Sequence, residues 1–447
     1  MKVHFLGIGG IGVSALAQYY LVKGHEVSGS DLSASEVTDY LQKLGIKIDF
    51  GNSGFPIKSE ATNNLPDLVV HTPAIKKESP AVKIFIDAGV KTQTYPEALG
   101  ELTKQYFTIA ISGSHGKSTT TSMTALALIK AGVDPTIIVG TRLKEFGNTN
   151  FRAGASKYLV IEACEHEESF LNYWPKIIVI TNIEAEHLDY YKTLNNVIRG
   201  FKRFANHLPN NGVLILNKED KNSRVIARSS QATKQSSFSI KQTEATKIKK
   251  ILKVPGKHNI YNALATLVVT RELGIDDKIT FKALSEFKGT WRRFETKSGF
   301  IENPPSHKAT AGRRKITVIS DYAHHPTEVI ATLNAAREKY PKKKIWLIFQ
   351  PHQYQRTFYL LKDFVNIFKK AKIDNIIITD IYDVAGREDQ KIKDKISSQK
   401  LVGLIKKKNV FYCAQAEIEN YIKHKIKSGD VLIIMGAGNI YKLYDKF

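Results

Sequence analysis

The sequence predicts an α/β protein made of three units of parallel sheet wound with helices, and three observations carry that prediction. Short β-branched runs alternate with longer amphipathic stretches through most of the chain. Two glycine-rich loops each stand between a predicted strand and a predicted helix. The composition is that of a folded protein: of 447 residues, 42% are hydrophobic and 24% are charged. At roughly 150 residues per domain, that length accommodates about three domains.

The elements follow in chain order. Lys2–Leu6 reads as a strand, Ile11–Lys23 as a helix and Glu26–Ser28 as the next strand. Leu68–His71 reads as a later strand, closed by the turn-forming Thr72-Pro73. A second unit opens at Phe107–Ser112 and continues through Tyr158–Ile161, Ile177–Thr181 and Val213–Leu216. From Glu219 to Lys253 the chain is polar and weakly patterned, so loops and short strands are expected there. A third unit opens at Ile316–Ser320, with strands expected at Ile345–Phe349, Ile376–Thr379 and Val431–Met435. Before it, the stretch from Asn303-Pro304-Pro305-Ser306 to Arg313-Arg314 reads as an exposed hairpin tip or loop. These breaks put domain boundaries near residues 104 and 297, giving domains 1–103, 104–296 and 297–447.

Composition also excludes several classes. The 29 glycines and 14 prolines follow no fixed period, which rules out collagen-like and low-complexity chains. No apolar run approaches the ~20 residues needed to cross a bilayer, so no membrane insertion is expected. The opening VHFLGIGGIGVSALA imitates a secretory leader, but a glycine pattern interrupts its apolar core and an α/β rhythm follows it. Cys164 and Cys413 lie far apart and imply no disulfide framework, so the chain reads as cytoplasmic. The 66 Lys and Arg exceed the 43 Asp and Glu by 23. Lysine-rich clusters at 247–250, 342–344 and 406–408 are scattered and not interleaved with aromatic residues. The excess therefore reads as a solvated surface suited to acidic small molecules, with no nucleic acid expected as partner.

Gly7-Ile8-Gly9-Gly10-Ile11-Gly12 matches GxGxxG between a strand and a helix, and Asp31 follows the next strand 19 residues after Gly12. Small residues there let a diphosphate approach the backbone, and the helix start offers N–H groups and positive potential. Alone, the pattern would suggest a dinucleotide dehydrogenase, or glycines needed only for a tight turn. The strand Phe107–Ile111 then runs into Ser112-Gly113-Ser114-His115-Gly116-Lys117-Ser118-Thr119, followed by an Ala/Leu-rich helix. That is phosphate-loop chemistry: backbone N–H groups around a triphosphate, Lys117 on its outer phosphates and Ser118 on Mg²⁺. Isoleucine at 111 leaves the shorter form GxxGKS. A dehydrogenase has no need of an ATP loop; an enzyme that uses ATP to activate a nucleotide-linked substrate needs both.

With these loops in place the chain resembles the Mur ligase family over its whole length. The resemblance rests on HFLGIGGIGVSALA, SGSHGKSTT, IEACEHEESFLNYWP, TNIEAEHLDYY, GKHNIYNALA, WRRFE, DYAHHPTEV, FQPHQYQRT and GAGNIY, in that order. It implies Rossmann-like first and last domains around a central ATPase-like parallel sheet. It reassigns Gly9, Gly10, Ile11, Gly12, Asp31 and Thr72 to a UDP-sugar. It implies ATP at Gly113, His115, Gly116, Lys117, Ser118, Thr119, Asn259, Asn262, Arg293 and Asp321. Metal ligands are implied at Ser118, Glu162 and His187, a hard donor set that suits Mg²⁺ or Mn²⁺. An amino-acid pocket is implied at Tyr322, His324 and Arg356, with Lys117, His187 and Arg293 as the catalytic groups.

Other readings stay in view. On residue type alone, Glu162, Glu165, Glu167 and Glu168 could each be a ligand, but Glu162 alone ends a predicted strand. Arg292-Arg293 could be a surface pair, although Trp291 and Phe294 point to partial burial beside an anion. Cys164 reads as a small core residue. Against the family pattern, Ser118 stands for threonine, Glu186 for aspartate, Cys164 for aspartate and Gln353 for arginine, and the 217–258 region is short. The implied reaction activates the lactyl carboxylate of UDP-N-acetylmuramic acid as an acyl phosphate, which L-alanine then attacks. The rival within the family adds a preformed murein tripeptide to the same sugar nucleotide. A folate-type glutamate ligase would not need GIGGIG, and a non-catalytic sensor would have lost Glu162, His187 or Arg293. A monomer or weak homodimer is expected.

Overall fold

The computed structural model describes residues 1–51, 65–230, 234–302, 313–384 and 389–447. Among them stand three sheets. The first holds β1 (Lys2–Leu6), β2 (Glu26–Asp31), β3 (Lys47–Phe50), β4 (Leu68–His71) and β5 (Lys91–Thr94), all parallel, in the order β3-β2-β1-β4-β5. The order reverses direction between β1 and β4, and an open parallel sheet offers a ligand crevice at the carboxyl ends of its strands at such a point.

The second sheet holds β6 (Phe107–Ser112), β7 (Thr136–Leu143), β8 (Thr149–Arg152), β9 (Tyr158–Glu162), β10 (Ile177–Ile180), β11 (Val213–Asn217) and β12 (Lys234–Phe238). Its order is β12-β11-β10-β6-β9-β7-β8, with β8 antiparallel to β7. The third holds β13 (Glu295–Glu302), β14 (Arg313–Asp321), β15 (Ile345–Phe349), β16 (Asn375–Ile378), β17 (Val410–Tyr412) and β18 (Val431–Met435) in the order β13-β14-β18-β15-β16-β17, with β13 antiparallel to β14. Central strands such as β10 (IIVI) and β18 (VLIIM) are apolar and buried throughout, as strands covered on both faces must be. Two apolar clusters pack the third sheet, one containing Leu347 and Ile433 and the other Ile348 and Ile434, so successive residues feed opposite faces.

The described chain forms two compact units. One comprises Met1–Glu186, Leu194–Ile251 and Tyr261–Glu286, and so contains the first two sheets; the other comprises His187–Thr193, Leu252–Ile260 and Phe287–Phe447. Within the first unit the helix Ile11–Val22 is tied to β8 by buried side chains: Gln18 Nε2 donates to Asn150 Oδ1 at 3.0 Å, and Thr149 Oγ1 donates to Gln18 Oε1 at 2.8 Å.

Three expectations are corrected. The second strand runs on to Asp31, so that carboxylate ends the strand instead of following it. The polar stretch 219–253 is mainly helical, with helices Lys221–Ser229 and Thr243–Ile251 flanking β12. Asp220 starts the first of these by accepting the Ser223 N–H at 2.7 Å, and a few buried residues (Ile226, Ala245, Ile248) suffice to dock both helices. β13 was not expected, because ETKSGFIE is polar on its exposed face; full antiparallel pairing with β14 holds it as an edge strand. Of the expected hairpin tip, residues 303–312 lie outside the described residues, whereas Arg313 and Arg314 already belong to β14, with Arg313 facing Glu302. Among the described residues no helix is long and apolar enough to cross a membrane.

Candidate functional site

The first glycine loop joins β1 to the helix Ile11–Val22, and most of its N–H groups are already used. Gly7 and Ile8 donate to Ser30 O, Gly10 donates to Gly7 O, and Gly9 donates to Asp31 Oδ2 at 2.8 Å. What remains for a ligand is the helix start at Ile11 and Gly12, where backbone N–H groups have no partner within the helix. Gly7 sits at φ +75, with Thr72 so close that a Cβ would stand 2.6 Å from its Cγ2; at Gly12 a Cβ would stand 2.7 Å from the Tyr95 ring. The six residues assigned to a UDP-sugar therefore converge on one loop. Ile11 also lines a cavity of about 270 Å³ with Gln18, Glu36, Tyr40, Arg142 and Asn150, where Arg142 pairs with Glu36 at 2.7 Å.

The second loop joins β6 to the helix Lys117–Lys130, with Gly116 left-handed at its start (φ 86). It is pinned to the segment after β10. Thr181 Oγ1 donates to His115 O at 2.6 Å, Asn182 Oδ1 accepts the His115 N–H at 3.0 Å, and Ser114 N–H donates to Asn182 O at 2.9 Å. Gly113, at φ +130, faces Thr181 so closely that a Cβ would lie 2.1 Å from its Oγ1. Asn262 closes the loop from the helix Lys257–Glu272, its Oδ1 2.4 Å from where a Cβ on Gly116 would stand. Asn259, one turn earlier on that helix, donates from Nδ2 to Pro255 O at 2.7 Å. His115 Nε2 lies 3.5 Å from Glu184, and Ser118 and Thr119 are buried in the first turn of the helix Lys117–Lys130.

The structure separates the four glutamates. Glu165, wholly buried, holds Lys117 Nζ with both oxygens, at 2.9 and 3.2 Å. Burial disfavours the Lys117 ammonium, but the Glu165 carboxylate outweighs that and holds the lysine above its ordinary range. Glu168 pairs with Arg203 at 2.7 Å, and Glu167 is exposed. Glu162, at the end of β9, accepts the Gly140 N–H at 2.7 Å and stays half-buried. Cys164 is half-buried and not a core residue; burial pushes its thiol up to about 11, which keeps it protonated. Glu186 is buried.

In the second compact unit, Asp321 ends β14 with one oxygen accepting Phe294 N–H and the other Ala323 N–H, both at 2.8 Å. Burial pushes its carboxyl up to about 6, against the pull of Arg293. Tyr322, His324 and Arg356 do come together, and His352 links them. The His324 ring meets Tyr322 at 5.3 Å and His352 at 5.8 Å, and Arg356 Nη1 lies 3.0 Å from His352 Nδ1. Glu328 reaches both His324, 3.3 Å from its Nδ1, and Arg293, at 3.5 Å. His187 takes a left-handed conformation (φ 53) and starts the short helix Leu188–Tyr191. Gln353 is buried at φ 69, and its N–H donates to Tyr382 O at 3.0 Å.

Arg292 is the buried member of the arginine pair, and its guanidinium is held by carbonyls and rings, with Asp321 the anion whose charge favours it. It donates to the carbonyls of Gly436 and Gly438 and lies over the rings of Tyr322 and Tyr441; burial lowers it to about 10. Sequence reasoning also passed over Thr181, Asn182, His352 and Glu328, and it left Glu165 without a partner. One signal was readable for the first two: if β6, β9 and β10 are neighbours in a parallel sheet, the loops after them meet at one end.

Three family models match the chain: "Mur ligase family, catalytic domain" over residues 2–107, "Mur ligase middle domain" over 111–270 and "Mur ligase, glutamate ligase domain" over 308–438. The chain is 40% identical to the UDP-N-acetylmuramate–L-alanine ligase of Caldanaerobacter subterraneus subsp. tengcongensis, and 40% identical to that of Clostridium tetani. Each match spans 100% of this chain and 97% of the relative. Among solved structures it is similar to the UDP-N-acetylmuramate-alanine ligase of Thermotoga maritima, with TM-score 0.76 and 28% identity over 100% of this chain and 98% of that one. A murein peptide ligase from Psychrobacter arcticus shares the fold, with TM-score 0.72 and 22% identity over 100% and 98%.

Proposed function

The chain belongs to the Mur ligase family, and from that premise we propose that it joins L-alanine to the lactyl carboxylate of UDP-N-acetylmuramic acid at the expense of ATP. The observation that carries the reading is similarity at 40% identity along the whole chain to ligases that add L-alanine. The two phosphate loops support it, since they offer separate places for a sugar nucleotide and for a triphosphate. Residues 1–103 would hold the UDP-sugar at Gly9, Gly10, Ile11, Gly12, Asp31 and Thr72. Residues 104–296 would hold ATP and metal, and residues 297–447 the amino acid at Tyr322, His324 and Arg356.

The residues fit the groups they would hold. Gly113 and Gly116, both at positive φ, let the loop pack closely against Thr181 and Asn262, and the helix behind it directs its first N–H groups at the loop. Ser118 and Glu162 would offer the metal hard oxygen donors and His187 an imidazole, a combination that suits Mg²⁺, with Mn²⁺ as substitute. When bound, the metal neutralises phosphate oxygens. Lys117 would meet the outer phosphates, and Arg293 the phosphoryl group in transfer. The carboxylate attacks the γ-phosphorus to give an acyl phosphate and ADP; the alanine amine then attacks the acyl carbon, and inorganic phosphate leaves. Asn259, Asn262 and Asp321 would contact the nucleoside side. The enzyme would act in the cytoplasm as a monomer or weak homodimer, without nucleic acid as partner.

The test is ADP release with ATP, Mg²⁺ and UDP-N-acetylmuramic acid, run with L-alanine, with the murein tripeptide and with no acceptor. Turnover with L-alanine alone is expected. Turnover with the tripeptide alone would replace this reading with the peptide-recycling one, whose enzymes include one from Psychrobacter arcticus with the same fold.

A further inference from the structure

Lys117 is the residue expected to grip the triphosphate, yet its ammonium is fully engaged within the protein. Its three protons face four oxygens: Gly113 O at 2.6 Å, Ser114 O at 3.3 Å, and both Glu165 oxygens at 2.9 and 3.2 Å. Two of the acceptors are carbonyls of the loop itself, and the other two are a carboxylate with no solvent exposure. A phosphate can gain this lysine only by displacing one of them. The carbonyls are fixed, because Gly113 is wedged against Thr181, and Ser114 is bonded to Asn182 through its N–H and to Glu184 through its hydroxyl. The side chain of Glu165 is the partner that can yield.

We infer that Glu165 is an internal stand-in for phosphate: a positioning residue that latches Lys117 into the nucleotide-free loop and gives it up when a nucleoside polyphosphate binds. The inference rests on the reading above that this loop takes ATP. Its physical content is a competition. A carboxylate and a phosphate offer the same lysine the same kind of charge-assisted hydrogen bond, so the cost of parting from the first is subtracted from the gain of meeting the second. The carboxylate also places negative charge beside a site meant for an anion, in a desolvated setting where charge counts most. Both effects have one sign, so Glu165 lowers nucleotide affinity. In exchange it keeps a buried ammonium paired, where an unpaired one would be strongly destabilising.

The experiment is calorimetric titration of ADP, with and without Mg²⁺, into the wild-type protein, Glu165→Gln and Glu165→Asp, with UDP-N-acetylmuramic acid titrated in parallel. Glutamine keeps the shape and one acceptor but removes the charge. It should bind ADP about tenfold more tightly, the scale of one charge-assisted hydrogen bond, while the sugar nucleotide binds within twofold of wild type. Aspartate keeps the charge and should bind ADP no more tightly than wild type. Unchanged or weaker ADP binding by Glu165→Gln, with wild type binding normally, would overturn the latch alone. Failure of the wild-type protein to bind ADP at all would overturn the ATP-loop reading and the latch with it. Should the glutamine variant not fold, a crystal structure of the wild-type ADP complex decides. Lys117 Nζ more than 4 Å from Glu165 supports the exchange; the pair intact with ADP bound overturns it.

Discussion

The two phosphate loops of the first compact unit are built on the same plan, strand to glycine turn to helix, and each is met by a carboxylate from the end of another strand of its sheet or just beyond it. In the first loop Asp31 takes the Gly9 N–H; in the second Glu165 takes the Lys117 ammonium. The difference is depth. Asp31 is half-exposed and satisfies a neutral backbone donor, whereas Glu165 is wholly buried and neutralises a charge. A loop that meets its ligand with backbone dipoles can be braced by a surface aspartate at little cost. A loop that meets its ligand with a buried cation must store that cation against a buried anion, and the stored pair then becomes part of the binding equilibrium.

The largest effect should follow from breaking the stored pair. Lys117→Met removes the cation and leaves Glu165 buried without it, so stability should fall by about 3 kcal/mol and ADP formation by about 10³-fold. Adding Glu165→Gln to that variant should restore most of the stability and none of the activity. Denaturant melts beside an ADP-release assay read both quantities. Loss of activity that the double variant recovers would mean that Lys117 serves only to pair Glu165.

Backbone strain separates the loops next. Gly113→Ala would force a side chain onto φ +130 and into Thr181 Oγ1, at 2.1 Å, and should cost about 3 kcal/mol. At Gly9, where φ is ordinary, a Cβ meets Asp31 Oδ2 at 2.9 Å and Thr38 Cγ2 at 3.1 Å. Side-chain ends can give way there, so Gly9→Ala should cost about 1 kcal/mol. Equal losses in thermal melts of the two variants would show that the loops are held with equal rigidity.

How much of this was readable beforehand follows the range of the interactions. The strands Lys2–Leu6, Leu68–His71 and Phe107–Ser112 were legible to the residue, because a run of apolar β-branched residues closed by a glycine or proline turn is a local signal. The helices between 219 and 253 were not, because their few apolar positions dock on a sheet whose presence the local pattern does not report. Lys117 was legible as a phosphate residue, but its partner Glu165 lies 48 residues away, and nothing local sets it apart from Glu167 and Glu168. Only the parallel pairing of β6 with β9 brings the ends of those two strands together. The same holds for His352, which joins Tyr322 and His324 to Arg356 because β14, β18 and β15 are parallel neighbours.

A third carboxylate extends the comparison to the second compact unit. Asp321, like Asp31, ends a strand and accepts two backbone N–H groups, but it is buried and its carboxyl is pushed up to about 6. Its folded-state value lies above the ordinary aspartate range, so between pH 4 and 6 the folded protein holds the extra proton. Its contribution to stability is fully present below about pH 4 and is lost as pH rises through about 6. Relative to Asp321→Asn, the wild-type protein should therefore lose about 2 kcal/mol between pH 4 and 6.5. Urea melts of the two proteins across that range check it; a gap that does not change with pH would mean that the backbone donors hold this carboxylate ionised throughout.

The smallest effect tests whether depth is what distinguishes the loops. Asp31→Asn keeps an oxygen for the Gly9 N–H and gives up the second acceptor, which serves Leu32 N–H, so stability should fall by about 1 kcal/mol or less. It also removes one negative charge beside the loop proposed to receive the UDP diphosphate. Asp31 would also hold the sugar nucleotide, so the lost contact and the lost repulsion oppose each other; the carboxylate is half-exposed and screened by water and salt, and UDP-N-acetylmuramic acid should bind within about twofold of wild type. The corresponding change at Glu165 should be worth about tenfold to ADP. Raising the salt concentration should erase the Asp31 effect and leave most of the Glu165 effect, since screening acts on the exposed charge and not on the buried one. Gains of equal size and equal salt dependence at the two loops would show that both carboxylates act through the general field of the site, and that the direct grip of Glu165 on Lys117 adds nothing to it.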